Sequence, residues 1–283
     1  MTNQFGGNWT RKKIEMLVEY AQAYLTIMKW HSYWRTLYFD GFAGTGFIIN
    51  DKAEEPEVTI GAARRIVEID NPKSFDGYYF VEIKPDNYEK LKSATQDAFP
   101  DKKIFVVRED CNAKLKSLAK HFNEPKEKRY YDKVLAYIDP CGMQLEWSSI
   151  ESLKGIGADA WILVPTGMGV NRLLKRNGEI NEAWVKRLES FLGISEEEIL
   201  QFFYHDDTIL TLFGEEKKKS KTEQAADKAA MLYKTRLKQV FSYVSEPMPL
   251  KNERNSTMYH LIFVSNNKAA LKIADDIINK YSD

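Results

Sequence analysis

Asp40-Gly41-Phe42-Ala43-Gly44-Thr45-Gly46 follows at once on the apolar run Thr36-Leu37-Tyr38-Phe39. A short buried strand running into a glycine-rich turn marks an α/β ligand site, because glycine reaches positive φ and lets backbone approach a ligand closely. The spacing narrows the ligand. Position 49 is Ile, so the dinucleotide pattern G-x-G-x-x-G is not met, which weighs against a nicotinamide dehydrogenase. No Gly-Lys-Ser/Thr ends the loop as in a phosphate-cradling turn. An acid leads it instead, and a carboxylate suits a positively charged ligand part, an amino group or a sulfonium, better than a pyrophosphate.

Upstream, Arg11 to Trp30 reads as a helix. Ile14, Leu17, Val18, Ala21, Leu25 and Met28 form one apolar stripe, and Thr10 is placed to cap it. Downstream, residues 58–69 read as a helix and 77–81 as a second strand ending at Glu82. Pro85 opens a third helix, 104–107 is a third strand closing near Asp110, and 113–122 is a helix. Residues 134–138 make a fourth strand ending at Asp139-Pro140, and 160–164 a fifth ending at Pro165. Apolar strands alternating with helices predict a parallel sheet covered on both faces. From Asn171 to Lys238 the pattern changes to helical pieces (182–192, 195–204, 224–238) with no convincing strand, and the charged run 215–221 reads as a solvated loop. Residues 240–244 and 259–264, joined by the polar stretch 246–257, read as an antiparallel pair at the sheet edge. An amphipathic helix over 268–281 follows, and no internal repeat is found.

Composition sets bounds. The 283 residues are 43% hydrophobic and 29% charged, which fits a globular domain and not a disordered chain or fibre. The formal net charge is zero, so the chain as a whole carries no electrostatic footprint of nucleic-acid binding, although 41 basic residues leave room for a local patch. Cys111 and Cys141 build neither a disulfide framework nor a C-x-x-C pair, and His31, His121, His205 and His260 are scattered, so no metal site is expected. The polar start, Met1 to Lys12, lacks the apolar core of a signal peptide, and no apolar run nears the roughly 20 residues of a membrane span. These features predict a soluble, reduced, cytoplasmic protein.

Ligands of open α/β sheets lie beyond the carboxyl ends of the strands. Three acids stand there in succession: Asp40 at the glycine loop, Glu82 placed to accept ribose hydroxyls, and Asp110 placed to accept the exocyclic amine of adenine, with Cys111 packing near the ring. Together they suit an adenosine that carries a cationic amino-acid tail. The loop residues 40–46 resemble the D-x-F-A-G-[ST]-G form of nucleic-acid amino-methyltransferases, and the chain resembles class I S-adenosylmethionine-dependent methyltransferases. More narrowly, it resembles the three-Cys-motif partner family. That likeness rests on Phe42-Ala43-Gly44-Thr45-Gly46, on Asp139-Pro140-Cys141-Gly142-Met143-Gln144 with Trp147, on Val164-Pro165 leading to Asn171-Arg172, and on the C-terminal strand and helix. It implies S-adenosylmethionine as cofactor and a protein partner bearing a three-cysteine motif. It also implies one Rossmann-like domain over residues 1–283: a doubly wound sheet of seven strands, the last pair antiparallel, with 171–238 inserted as a helical segment on the substrate side.

Amino-methyltransferases carry [DN]-P-P-[YF] after the fourth strand. The acid and a following carbonyl accept the two hydrogens of an exocyclic amine, and the aromatic stacks on the base. Here Asp139 and Pro140 match as catalytic candidates, whereas Cys141 and Gly142 replace the second proline and the aromatic. Trp147 or Phe47 is left to supply the stack. Asn171 and Arg172 either contact substrate or cap the next helix. Lys12 and Lys13 either reach the cofactor carboxylate or lie on a solvated helix face. The basic groups 172–176 and 234–238, near Trp184, Phe202, Phe203 and Tyr204, either line a nucleic-acid groove or belong to ordinary amphipathic helices. The altered Asp-Pro segment keeps a second function open, a non-catalytic cofactor-binding scaffold of a two-protein system.

Overall fold

A computed structural model describes residues 8–50, 57–124, 131–211 and 214–282. Residues 1–7 of the polar start and 212–213 of the insertion lie outside the described residues. In chain order the elements are α1 (Asn8–Met28), β1 (Trp34–Asp40), β2 (Phe47–Asn50), β3 (Glu57–Ile60), α2 (Ala62–Val67), β4 (Gly77–Val81), α3 (Pro85–Lys92), β5 (Ile104–Val107), α4 (Cys111–Asn123), β6 (Tyr131–Ile138), α5 (Trp147–Glu151) and β7 (Ala158–Val164). Then come α6 (Glu182–Leu192), α7 (Glu196–Phe203), β8 (Tyr204–Thr211), β9 (Gly214–Lys221), α8 (Ala225–Leu237), β10 (Tyr243–Val244), β11 (Met248–Lys251), β12 (Thr257–Ser265) and α9 (Lys268–Tyr281).

The strand that ends in the glycine loop lies mid-sheet. The order is β5-β4-β1-β6-β7-β12, with β10 and β11 both on the outer edge of β12. The first five strands are mutually parallel and β12 runs against β7. This is the doubly wound, Rossmann-like sheet the sequence predicts. The strand order reverses between β1 and β6, which opens a crevice at their carboxyl ends.

Alternation along the strands feeds two cores. Tyr38, Leu135, Tyr137, Trp161, Leu163, Leu261 and Phe263 pack under α1, α2 and α9. Phe39, Val134, Ala136, Ile138, Ala160, Ile162 and Val264 pack under α4, α5, α6 and α8. Successive side chains point to opposite faces, so apolar runs with no polar alternation mark strands covered on both sides. No helix among the described residues is long and apolar enough to cross a membrane.

Several expectations are corrected. Residues 58–69 are not one helix: β3 pairs antiparallel with β2, and α2 starts only after Gly61. Val58, Thr59 and Ile60 are β-branched and favour the extended chain. The edge pair is three strands, the nine-residue β12 with the short β10 and β11 beside it, and among the described residues the sheet has eight strands, not seven. Val240 and Phe241 are not strand: they lie in the turn that follows α8, their amides bonded to the Leu237 carbonyl at 3.0 and 2.9 Å. The edge strand is broken in two around Pro247, which has no N–H to offer, and the Ser245 hydroxyl takes the Phe263 amide (2.9 Å) across the break. Thr10 lies inside α1, two residues past its start at Asn8, and does not cap it.

The largest correction lies in the insertion, where β8 and β9 form a hairpin and the charged run 215–221 is a strand. Asp206 faces Lys219 and Asp207 faces Lys218, so charges that read as a solvated loop are cross-strand pairs. Lys221 ends the hairpin and ties it to the chain beyond β7. Its ammonium donates to the Asn171 carbonyl (3.0 Å), Asn171 Oδ1 (2.8 Å) and the Leu174 carbonyl (2.9 Å). A second tie runs from the π-helical turn Thr166–Asn171 to α8: Thr166 Oγ1 is 2.8 Å from His260 Nδ1, and His260 Nε2 is 3.2 Å from Asp227 Oδ1.

Candidate active site

The glycine loop straddles the switch point. Gly41 N–H donates to the Tyr137 carbonyl of β6 (2.9 Å), and Ala43 N–H donates to the Val81 carbonyl of β4 (3.0 Å). Gly46, at φ +77°, turns the chain into β2, and its carbonyl takes the Gly61 amide at 2.9 Å. At Gly41 the need is space: a Cβ there would lie 2.5 Å from Cys111 Sγ. Gly41→Ala is therefore expected to displace the loop and lower stability by about 1–3 kcal/mol, the usual cost of overpacking. The Gly41→Ala/Cys111→Ala double variant recovers most of that loss if the contact is the cause, as urea unfolding will tell.

Asp40 lies beneath the loop, 1% exposed, and its Oδ1 accepts the Phe42 amide at 3.1 Å. Burial pushes its carboxyl up to about 8; the Phe42 amide opposes this, and the Asp139 charge adds to it. Glu82, Asp110 and Asp139 share another arrangement: each spends one oxygen on its own chain. Glu82 Oε1 accepts the Lys84 amide (2.8 Å), and Asp110 Oδ1 caps α4 through the Ala113 amide (3.1 Å). Asp139 Oδ2 accepts the Tyr137 hydroxyl (2.9 Å) and the Lys13 ammonium. Among the described residues no hydrogen bond reaches the second oxygen of any of the three. The groups converge. The charges of Asp139, Lys13 and Glu82 all bear on Asp40, and those of Asp110 and Asp40 on the Cys111 thiol, which burial pushes up.

The structure moves several predicted site residues elsewhere. Trp147 does not offer a stacking face: it is 4% exposed, set edge-on against Tyr233, and a Cβ on Gly193 would lie 2.3 Å from its ring. Asn171 is occupied by Lys221, while Arg172 is exposed. Phe47 sits 5.8 Å from the Arg64 guanidinium. Cys111 is buried under Gly41, Pro140 is buried, and Cys141 is exposed. The basic group 234–238 serves the interior: Lys234 pairs with Glu246, and the Arg236 guanidinium lies 4.4 Å over Trp147. Phe203 and Tyr204 are buried too, the Tyr204 hydroxyl donating to the Lys175 carbonyl at 2.7 Å.

Three residues at the site escaped the sequence reading, Tyr137, Trp9 and Tyr259, and a fourth, Lys13, was read there with a different partner. Lys13 is not on a solvated face; it is 5% exposed and bonded to Asp139. A signal was present, since Lys13 shares the three-and-four spacing of Leu17, Tyr20 and Tyr24 on the buried side of α1. Tyr137 stands two residues before Asp139, on the same side of its strand. Trp9 stacks on Tyr259 (centroids 5.1 Å apart, planes at 29°), and the Lys13 ammonium lies 5.2 Å from the Trp9 ring centre. Burial raises the Tyr259 phenol to about 12, and the Asp139 and Cys141 charges add to the rise.

No family model matches the sequence, and no curated protein does either. Among solved structures the chain is similar to protein LPL1258 from Legionella pneumophila, at 14% identity over 98% of this chain and 93% of that one, with a TM-score of 0.48. It is also similar to an rRNA methylase from Streptococcus thermophilus, at 9% identity over 82% and 88% of the two chains and a TM-score of 0.34. A third likeness is to Trm1 from Pyrococcus horikoshii, solved with S-adenosyl-L-methionine, at 12% identity over 99% and 83% and a TM-score of 0.37. The strand order defines the fold, and likenesses at these scores add nothing to it.

Proposed function

We propose that the crevice binds S-adenosylmethionine and that the chain transfers its methyl group to an exocyclic amine of a nucleic-acid base. The observation that carries this reading is the set of carboxylates at successive strand ends around the glycine loop, three of them with one oxygen uncommitted. Two further features fit the group. A Cβ on Gly44, at φ +64°, would meet nothing within 4 Å, which leaves open space above the loop. Thr10, on the same face of α1 as Lys13, is 4% exposed, and its hydroxyl has no partner among the described residues. Glu82 would hold the ribose, Asp110 the adenine amine, and the field of Asp40 the cationic tail, with residues 41–46 as the floor.

The sulfonium supplies a methyl group that is already activated, so the protein's tasks are to bind, aim and exclude water. Asp139 Oδ1 and the Pro140 carbonyl accept the two hydrogens of the acceptor amine and turn its lone pair toward the methyl group. Lys13 and the Tyr137 hydroxyl, both on Oδ2, hold the carboxylate in that pose. Calorimetry is expected to detect S-adenosylhomocysteine binding and no NAD binding; absence of the former removes the proposal. Labelled methyl from S-adenosylmethionine is then expected to appear in single-stranded RNA or DNA.

One observation favours a second reading, because Lys13 already occupies an oxygen of Asp139. In that case the chain holds the cofactor without turnover, as one half of a two-protein system whose other half carries a three-cysteine motif. Cofactor binding with no transfer to RNA, DNA or protein, alone or with that partner, would decide for it.

A further inference from the structure

The run Lys103-Ile104-Phe105-Val106-Val107-Arg108-Glu109 holds β5, the outermost strand on its side of the sheet. β5 pairs on one side only, with Phe105 opposite Tyr79 and Val106 opposite Phe80 of β4, and no described strand pairs with its outer side. The Tyr78 amide donates to the Lys103 carbonyl (2.9 Å) and the Glu82 amide to the Val107 carbonyl (3.1 Å), so the odd-numbered residues turn their backbone groups toward β4. Backbone groups alternate along a strand, which leaves the amide and carbonyl of Val106 facing outward.

Side chains alternate too. Ile104 and Val106 are buried in the core under α1, α2 and α9. The other face carries Lys103, Phe105, Val107 and Glu109. On that face a row of rings crosses three strands: Phe39 stacks on Tyr79 (centroids 6.0 Å apart, planes at 8°), and Tyr79 lies 6.4 Å from Phe105. Phe39 is 2% exposed and Phe105 is 58% exposed, so the row starts in the core and ends on a ring in solvent. Sheet edges are ordinarily blunted by a charge, a proline or a covering helix. Residues 104–107 carry no charge and no proline. The exposed charges on the ring face stand just outside them and are opposite in sign, Lys103 before and Glu109 after. Lys103 makes no ion pair among the described residues, and Glu109 spends one oxygen on the Lys114 ammonium (2.6 Å).

We infer that β5 docks on the β5 of a second copy of this chain, edge to edge and antiparallel, about a two-fold axis at Val106. The residue order is self-complementary in that register alone. Val106 meets its own copy and exchanges the two outward backbone bonds. Phe105 then lies opposite Val107 of the second copy, and Lys103 opposite Glu109, both on the exposed face. These are the pairs without backbone bonds between them, whose side chains approach more closely. An axis at Phe105 sets Lys103 against Val107, and an axis at Val107 sets Phe105 against Glu109. A two-fold axis makes each favourable pair occur twice. Because the strands meet antiparallel, the two crevices open in opposite directions. So short a contact makes a weak, reversible dimer. The inference does not rest on the reading of the crevice as a methyltransferase site.

The test is sedimentation equilibrium of the whole chain from about 5 to 500 µM, the range of weak association, where a monomer–dimer equilibrium is expected. Phe105→Arg, at a ring already in solvent, is expected to weaken the dimer by about tenfold or more. Lys103→Glu and Glu109→Lys each set like charges opposite one another at both ends and are expected to weaken it by about tenfold. The decisive sample is a one-to-one mixture of Lys103→Glu and Glu109→Lys chains. In a mixed dimer both ends again join opposite charges, so the mixture is expected to associate where neither variant does alone. This also separates the contact between copies from the loss of the Lys114 pair within one chain. A native chain that stays monomeric throughout the range overturns the inference and leaves the edge to a different partner. So does a dimer that survives Phe105→Arg, because its contact then lies on another face. So does a mixture no more associated than its components, which removes the register.

Discussion

Asp139→Ala is expected to lower methyl transfer by roughly a hundredfold or more while changing S-adenosylhomocysteine affinity by less than about twofold. A misaimed acceptor costs on the order of 100-fold in rate. The carboxylate has no structural duty toward the glycine loop beyond its charge. Stability complicates the reading, because Lys13 is 6% exposed at its side chain and loses its counter-charge. An uncompensated buried charge costs about 3–5 kcal/mol, and the partly solvated carboxylate here, 19% exposed, puts the cost at the lower end. The Lys13→Met/Asp139→Ala pair separates the two effects. It restores the stability lost in Asp139→Ala without restoring transfer, and recovery of transfer in the double variant would exclude an acceptor role for the carboxylate. Asp139→Asn, which keeps one accepting oxygen, is expected to fall between native and Ala.

The second large effect is a pH dependence centred on Asp40. Its carboxyl sits at about 8 in the folded chain, against about 3.9 in an unstructured one. Between those values the folded protein keeps a proton that the unfolded chain has released. The contribution to stability is therefore complete below pH about 4 and declines as pH rises to about 8, by about 1.4 kcal/mol per pH unit. Urea unfolding of native protein and Asp40→Asn at pH 5, 6, 7 and 8 is expected to show a slope in the first that the second lacks. The same group links binding to protons. A cationic ligand above the loop favours the ionised form, so at pH 7 binding of S-adenosylmethionine is expected to release a proton from Asp40, whose carboxyl also feels the charges of Asp139, Lys13 and Glu82. Calorimetry in phosphate and in Tris should then give different heats. Equal heats would mean that Asp40 does not sense the ligand.

The parallel core, the glycine loop and the acids that end its strands were all legible in the amino-acid order. Each depends on a signal confined to a few neighbouring residues: unbroken apolar runs such as 134–138, glycine where φ turns positive, an acid at or just past the end of a strand. The β8–β9 hairpin was not legible. Its strands are mostly polar and lack the apolar alternation that marks a strand, and only the fold sets Asp206 and Asp207 opposite Lys219 and Lys218. The broken edge strand was missed for a similar reason, since β10 and β11 are defined by what they pair with and not by their own pattern.

At the site the division is sharper. Local order marked Asp40, Glu82, Asp110 and Asp139, and even the absence of a ring after Pro140. It could not say that Lys13 would close on Asp139 or that Trp9 would stack on Tyr259, because each pair joins residues distant along the chain and meets only when α1 docks across the end of the sheet. Period and turn chemistry are properties of a segment. Which charge neutralises which, and which ring backs which, are properties of packed surfaces, and they exist only once the chain has folded.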